Sequence, residues 1–345
     1  NMIDLRSDTV TMPTHAMKEF AFNAPLGDDV YGEDPSINDL QNKISKLFNK
    51  EAALFVPSGT MANLISVLTH CNRGDEIVLG DKSHIFFYEA GGVSAFGGIH
   101  SHQLKNQDDG TINLDDIQNS IRKNDDDHFP KTTLLCLENT HNFCYGSPIN
   151  IDYFNSVKQI INKHSIKLHL DGARIFNASV ALGIPVSELT KNADSISCCL
   201  SKGLSSPVGS LIIGSKEFIT KARRLRKALG GGMRQAGILA AAGLFSIKNM
   251  IERLEEDHHN ALELATKLSE IKYLSVDIAK VQTNIIFIYL NKKNLRDTEF
   301  LDLLLQNNIK IDYKGNRKFR LVTHHGFQKS NIDTVINTIN NILRD

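Results

Sequence analysis

Apolar and polar positions alternate in blocks along most of the chain. Between Ser36 and Phe48, Leu40, Ile44 and Leu47 recur at helical spacing. A short apolar run, Ala52 to Val56, comes next and is ended by Pro57-Ser58-Gly59, after which Thr60 to His70 is again helical. Glu76 to Leu79, Thr133 to Leu137, Lys167 to Leu170 and Ser195 to Leu200 read as strands, with helices such as Leu114 to Ile121 and Ile151 to Ile161 between them. Strands that alternate with helices and are apolar throughout predict an α/β protein, its mostly parallel sheet flanked by helices on both faces. From Ala236 to Ile271 the pattern becomes a long helical stretch rich in Ala, Leu and Glu. A strand at Asn284 to Leu290, a helix at Asp297 to Gln306, a strand at Phe319 to Val322 and a final helix complete the chain. This tail reads as a smaller α/β unit. The expected division is a large domain over residues 1–245, including the N-terminal segment, and a small C-terminal domain over 246–345.

A chain of 345 residues fits two domains of roughly 100–200 residues each. Lys+Arg and Asp+Glu both number 39, so the formal net charge is zero. No long-range field would hold the chain on nucleic acid or an anionic membrane, and neither is an expected partner. Basic residues should instead act locally on small anions. Asn1 to Arg6 lacks the apolar run of a signal peptide, and no stretch approaches the roughly 18 apolar residues of a membrane helix. The five cysteines, Cys71, Cys136, Cys144, Cys198 and Cys199, form no C-x-x-C pair. Reduced, buried thiols in a cytoplasmic protein are expected.

In open parallel sheets ligands bind beyond the carboxyl ends of the strands. Those ends carry Ser58-Gly59-Thr60, Asp81 to His84, Glu138 to His141, Asp171 to Arg174 and Ser201-Lys202-Gly203. The turn Ser58 to Asn63 opens a helix whose free N–H groups suit a phosphate, although a plain N-cap explains Ser58 or Thr60 as well. Asp171, at a buried strand end, needs a partner. Arg174 could supply a structural ion pair, and a protonated ring nitrogen of a cofactor is the other choice. Lys202 ends an apolar strand and precedes a glycine, which would leave it partly buried and suited to attack a carbonyl. Most lysines are solvated surface groups, and the apolar or small neighbours are what set this one apart. His84 could stack on a cofactor ring or simply hydrogen-bond its loop. Amine, carboxylate, phosphate-binding turn and aromatic lid together are the set that pyridoxal phosphate chemistry needs.

These segments, in order, resemble the L-threonine aldolase family. The matching stretches are Arg6 to Thr11, Asp28 to Pro35, Ser58 to Asn63, Glu138 to Asn142, His169 to Arg174, Leu200 to Leu204, Gly230 to Gln235 and Arg320 to His324. The resemblance implies the fold type I of pyridoxal-phosphate-dependent transferases, the aspartate-aminotransferase type, within the β-eliminating lyase group. It implies pyridoxal 5'-phosphate as cofactor and low-specificity retro-aldol cleavage of L-threonine and L-allo-threonine to glycine and acetaldehyde. Lys202 would carry the cofactor, Asp171 would hold its ring nitrogen protonated, His84 would stack over the ring, and Ser58, Gly59 and Thr60 would cradle the phosphate. Arg174 and Arg320, with Ser7, would grip the carboxylate of a small β-hydroxy-α-amino acid. His141 would lie near its β-hydroxyl, with His84 and His141 both candidates for the base. Tyr31, Lys227 and Arg234 would reach a neighbouring subunit's site in a homotetramer built as a dimer of dimers, and Arg234, like Arg174, would also contact the cofactor. Arg6 and Asp8 receive no role. No metal ligand is assigned. Phe143-Cys144-Tyr145 and Ser205-Ser206 depart from the family's usual small residues.

Rival readings differ in chemistry. A pyridoxal-phosphate-dependent β-eliminating lyase would use the same residues. His100-Ser101-His102 puts two imidazoles on one face of a strand, as in a metal-dependent hydrolase, but no third ligand has suitable spacing and exposed strand histidines are the plainer reading. A non-catalytic protein would have lost the lysine, the aspartate or the arginines. A G-x-G-x-x-G fingerprint is absent, which argues against a nicotinamide enzyme.

Overall fold

The computed structural model describes residues 2–122 and 126–344. Its centre is a seven-stranded sheet in the order Ala52–Val56, Ser210–Gly214, Ser195–Cys199, Lys167–Gly172, Thr132–Glu138, Glu76–Gly80, His100–Leu104. Ser210–Gly214 runs antiparallel to both neighbours, and the other pairings are parallel. The runs read as strands from sequence are strands, because side chains on both of their faces are buried. Ser195–Cys199 and Glu76–Gly80 are buried at every position. Helices cover both faces, and several begin at side-chain caps. Asp34 accepts from the Ile37 N–H, Ser58 from Met61 and Ser215 from Phe218, each cap worth about 1 kcal/mol. Parallel strands all end at the same edge of a sheet, so the loops after them, which carry the five reactive segments, converge there.

The long helical stretch Ala236 to Ile271 consists of two helices, Gly237–Asn249 and Leu254–Ser269. The first buries Ala240 and Ala242 in the core under the large sheet. The second buries Ala261, Leu264, Ala265 and Leu268 in a separate core with Phe300, Phe319 and Ile332. Leu254, at the start of the second helix, still packs in the first core, and the chain turns just before it. The second core backs an antiparallel sheet ordered Asp312–Tyr313, Lys318–Val322, Ile285–Leu290, Leu274–Val276. On these two cores we propose the division into a larger and a smaller C-terminal unit placed at residues 245 and 246.

The N-terminal strand Ile3–Asp4 pairs in parallel with Ile309–Lys310, and Leu5 is buried in the second core. That anchoring carries Ser7 and Asp8 to the edge where the large-sheet strands end. All five cysteines are free and buried. Among the described residues no helix is long and apolar enough to cross a membrane.

Candidate active site

The turn after Ala52–Val56 leads into the helix Gly59–His70. The hydroxyl of Ser58 is engaged as the cap, accepting the Met61 N–H at 3.2 Å. Gly59 and Thr60 are the first helical residues, whose N–H groups have no intrahelical acceptor, so they present the anion-binding end of the helix. A Cβ on Gly59 would come within 2.6 Å of Cys199 Sγ. Glycine thus lets this turn lie directly against the strand that ends just before the Lys202 bend.

Lys202 is partly buried in the bend after Ser195–Cys199, and its carbonyl accepts the Ser205 N–H at 2.9 Å. Ser205 is held at a left-handed φ of 66°. The Ser206 and Ser246 hydroxyls lie 2.8 Å apart, and Ser246 donates to the Leu204 carbonyl at 2.7 Å. The departure at Ser205-Ser206 therefore ties the lysine loop to the helix Gly237–Asn249.

Asp171 is buried. Its Oδ2 accepts from Asn63 Nδ2 at 2.9 Å and its Oδ1 from the Ala173 N–H at 3.1 Å. Burial alone would raise its pKa, but His84, Lys202, His169 and Asn63 outweigh that and hold it below the ordinary carboxylate value. The structural ion pair with Arg174 does not form. Arg174 turns to Asp8 instead, with Nε to Oδ2 at 2.8 Å and Nη2 to Oδ1 at 2.7 Å. Burial would raise the pKa of Asp8, but Arg174, Lys202 and Arg320 together hold its carboxyl well below the usual range. Arg320 Nη1 donates to Asn142 Oδ1 at 2.6 Å, and Arg174 Nη1 lies 3.4 Å from the same oxygen. Two guanidinium groups thus meet at one amide, and Arg320 also pairs with Asp312 at 3.2 Å. Ser7 caps the short 3-10 turn Asp8–Val10 beside them.

His84 Nδ1 lies 2.8 Å from Glu89 Oε1, while its backbone N–H donates to Glu138 Oε2 at 2.8 Å. Glu138 Oε1 accepts the Asn142 N–H at 2.9 Å. One buried carboxylate therefore fixes the loop of His84 against the loop of His141. His141 is buried; its Nδ1 accepts the Cys144 N–H at 3.3 Å, so in the neutral ring the proton sits on Nε2. His141 Nε2, Glu89 Oε2 and Arg320 Nε are among the buried polar atoms with no protein partner. Atoms left without a protein partner are free to bond a ligand. Phe143, the bulky departure beside His141, stacks at 24° on both Tyr88 (5.8 Å) and Phe87 (6.0 Å), forming an aromatic wall next to His84.

His84, Glu89 and Asp171 have metal-ligand chemistry, and their nearest atoms lie within 4.8 Å. Asn63, however, already spans the two carboxylates, donating to Glu89 Oε1 at 2.8 Å as well as to Asp171. His100 and His102 both face the buried Glu76, at 3.6 and 3.5 Å, and Arg122 Nε lies 3.4 Å from the same carboxylate. A guanidinium thus stands where a metal reading would put a cation.

Tyr31, Lys227 and Arg234 do not join the buried cluster. All three are exposed, and Arg234 pairs with Asp28 at 3.1 Å. The loop that leads to Arg234 nonetheless touches the start of the helix Gly59–His70, because Gly231 packs on the Met61 side chain. Sequence reasoning missed Asn63, Glu89 and His169 and left Asp8 without a role. His169 carried a signal: it stands two residues before Asp171 on one strand, which places both on the same face.

The family model for beta-eliminating lyases matches residues 4–292. The chain belongs to the beta-eliminating lyase family. It is 48% identical to low-specificity L-threonine aldolase 1 of Arabidopsis thaliana over 333 residues, covering 96% of this chain and 93% of that one. It is 45% identical to the low specificity L-threonine aldolase of Escherichia coli K12, covering 94% of each. Among solved structures it resembles the Leishmania major threonine aldolase, with a TM-score of 0.83 at 18% identity over 99% of both chains. At that identity the likeness speaks for the fold, the fold type I expected from the sequence.

Proposed function

We propose that this member of the family is a low-specificity L-threonine aldolase that uses pyridoxal 5'-phosphate to cleave L-threonine and L-allo-threonine to glycine and acetaldehyde. The observation that carries the reading is the convergence of Lys202 and Asp171 with two buried arginines that meet at Asn142. The residues fit the cofactor. Lys202 would hold its carbonyl carbon, Asp171 its ring nitrogen, the Gly59 and Thr60 N–H groups its phosphate, and His84 the face of its ring. When bound, the cofactor supplies a sink for the electron pair left at Cα.

The chain's own residues do the rest. Arg320 and Arg174, with Ser7, orient the substrate carboxylate and so decide which bond at Cα is aligned to break. Glu89 accepts the Nδ1 proton of His84, which leaves Nε2 as the free base for the β-hydroxyl proton. His141, with its proton on Nε2, donates a hydrogen bond to the β-oxygen as the aldehyde departs. Returning a proton to Cα completes glycine.

Tyr31, Lys227 and Arg234 are exposed in the single chain, which supports a homotetramer in which they serve a neighbour's site. Five free, buried cysteines support a cytoplasmic setting. Product analysis with L-threonine tests the function. Acetaldehyde and glycine are expected; ammonia and a 2-oxo acid would assign the same residues to β-elimination and overturn the aldolase reading.

A further inference from the structure

Asn63 has both amide hydrogens and both lone pairs engaged. Nδ2 donates to Asp171 Oδ2 and Glu89 Oε1; Oδ1 accepts from Ser197 Oγ at 2.7 Å and lies 3.0 Å from His169 Nε2. A flipped amide would set oxygen against two carboxylates, so the orientation is fixed. His169 must then carry its proton on Nε2. Its Nδ1 accepts from Ser195 Oγ at 2.8 Å, and Ser195 Oγ in turn accepts from His70 Nε2 at 2.8 Å. Burial keeps both imidazoles neutral, at about 4 for His169 and about 3 for His70, as these assignments require.

The local structure explains the alignment. His169 and Ser195 are register partners on adjacent strands, as are Asp171 and Ser197. With a side-chain period of two, one face of the sheet therefore presents two polar rungs inside an apolar layer. Asn63 and His70 are seven residues apart on the helix Gly59–His70, two turns and about 10 Å along one face, which lays them over those rungs.

We propose that His70, Ser195, His169 and Asn63 form a hydrogen-bonded file that acts as a positioning device, every donor directed toward Asp171, keeping that carboxylate ionised and aimed at the cofactor ring nitrogen. Aligned donors polarise one another, so the far end of the file, at the opposite edge of the sheet from Lys202, contributes to the charge at Asp171. The inference rests on the proposed assignment of Asp171 to the ring nitrogen. None of the four residues touches the substrate. They act through Asp171, and their loss should lower turnover and cofactor affinity and leave substrate binding alone.

The test uses Ser195→Ala, His169→Leu and His169→Gln, compared with the wild-type holoenzyme and after removing and restoring pyridoxal 5'-phosphate. Ser195→Ala removes one oxygen and cuts the file in the middle; it decides the matter alone if His169→Leu does not fold. Both cuts should lower kcat about tenfold and weaken the cofactor Kd by a similar factor, with KM for L-threonine unchanged. His169→Gln, whose amide can donate to Asn63 and accept from Ser195, should restore most of both. Wild-type kcat and Kd in Ser195→Ala, or a loss in His169→Gln equal to that in His169→Leu, would overturn the file. Failure of the wild-type chain to take up pyridoxal phosphate would instead overturn the functional reading, and the file with it.

Discussion

Asp8 lies edge-on to Arg174, taking its Nε and Nη2 hydrogens on separate carboxylate oxygens at 2.8 and 2.7 Å. Both side chains are buried, and the partners are 166 residues apart in sequence. This bidentate grip leaves Nη1 as the edge of the guanidinium turned toward Asn142 and the Arg320 side chain. Asp8→Asn keeps the shape and removes the charge. It should raise KM for L-threonine about tenfold through a less well-held Arg174. Stability should fall by about 3 kcal/mol in urea unfolding, because a buried guanidinium loses its counter-charge. An unchanged KM would make Asp8 a structural ion only.

The arginine and aspartate assignments separate by kinetics. Arg320→Ala should raise KM strongly through lost carboxylate binding, and an unchanged KM would remove Arg320 from the site. Asp171→Asn should keep the fold, measured by circular dichroism, and lose most activity, because a neutral partner weakens the electron sink. Near-normal turnover would contradict its role.

With His84 as the proposed base, Glu89 should set the acid limb of the pH profile. Burial pushes the His84 imidazolium down, but the hydrogen bond to Glu89 and the charges of Asp171, Glu89 and Glu138 outweigh it and raise its pKa above the ordinary 6.5. The base must be neutral, so kcat should rise with pH through this raised value. In Glu89→Gln the support is lost and the His84 value falls. The acid limb should then move to lower pH, with kcat at its plateau down about tenfold. A limb that stays in place would assign the base elsewhere.

Buried neutral histidines make the fold acid-sensitive. His169 and His258 are pushed down to about 4 and His70 to about 3, in each case by burial. The unfolded chain protonates all three near 6.5, while the native state does not. Stability therefore falls as pH drops from 6.5 toward 4, by about 1.4 kcal/mol per unit for each imidazole. His258→Gln, which can still accept from Asn177, should flatten this slope by one histidine's share. Urea unfolding at several pH values in that range measures it, and an equal slope in the variant would contradict it.

The strands of the large sheet were legible because their runs are apolar on both faces, and their ends were legible because reactive residues stand just beyond them. That position singled out Lys202, Asp171 and His84 as candidates, and only the family resemblance gave them roles. The break between Gly237–Asn249 and Leu254–Ser269 was not, since no glycine or proline lies between them to mark it. Nor were the groups that hold the site. Asn63 sits 108 residues from Asp171, and its role appears only when the helix lies on the sheet. Arg174 was weighed as the partner of Asp171 because it is close in sequence, whereas tertiary structure gives it to Asp8.

Lys202 is the proposed carrier of the cofactor in an aldol cleavage. The direct measurement is borohydride reduction of the purified, cofactor-loaded protein, followed by peptide mass mapping and a parallel acetaldehyde assay with L-threonine. The expected result is a visible absorbance band that borohydride bleaches, the cofactor fixed on Lys202 as a secondary amine, and acetaldehyde released only before reduction. Cofactor fixed on another lysine, or none fixed at all, would contradict it.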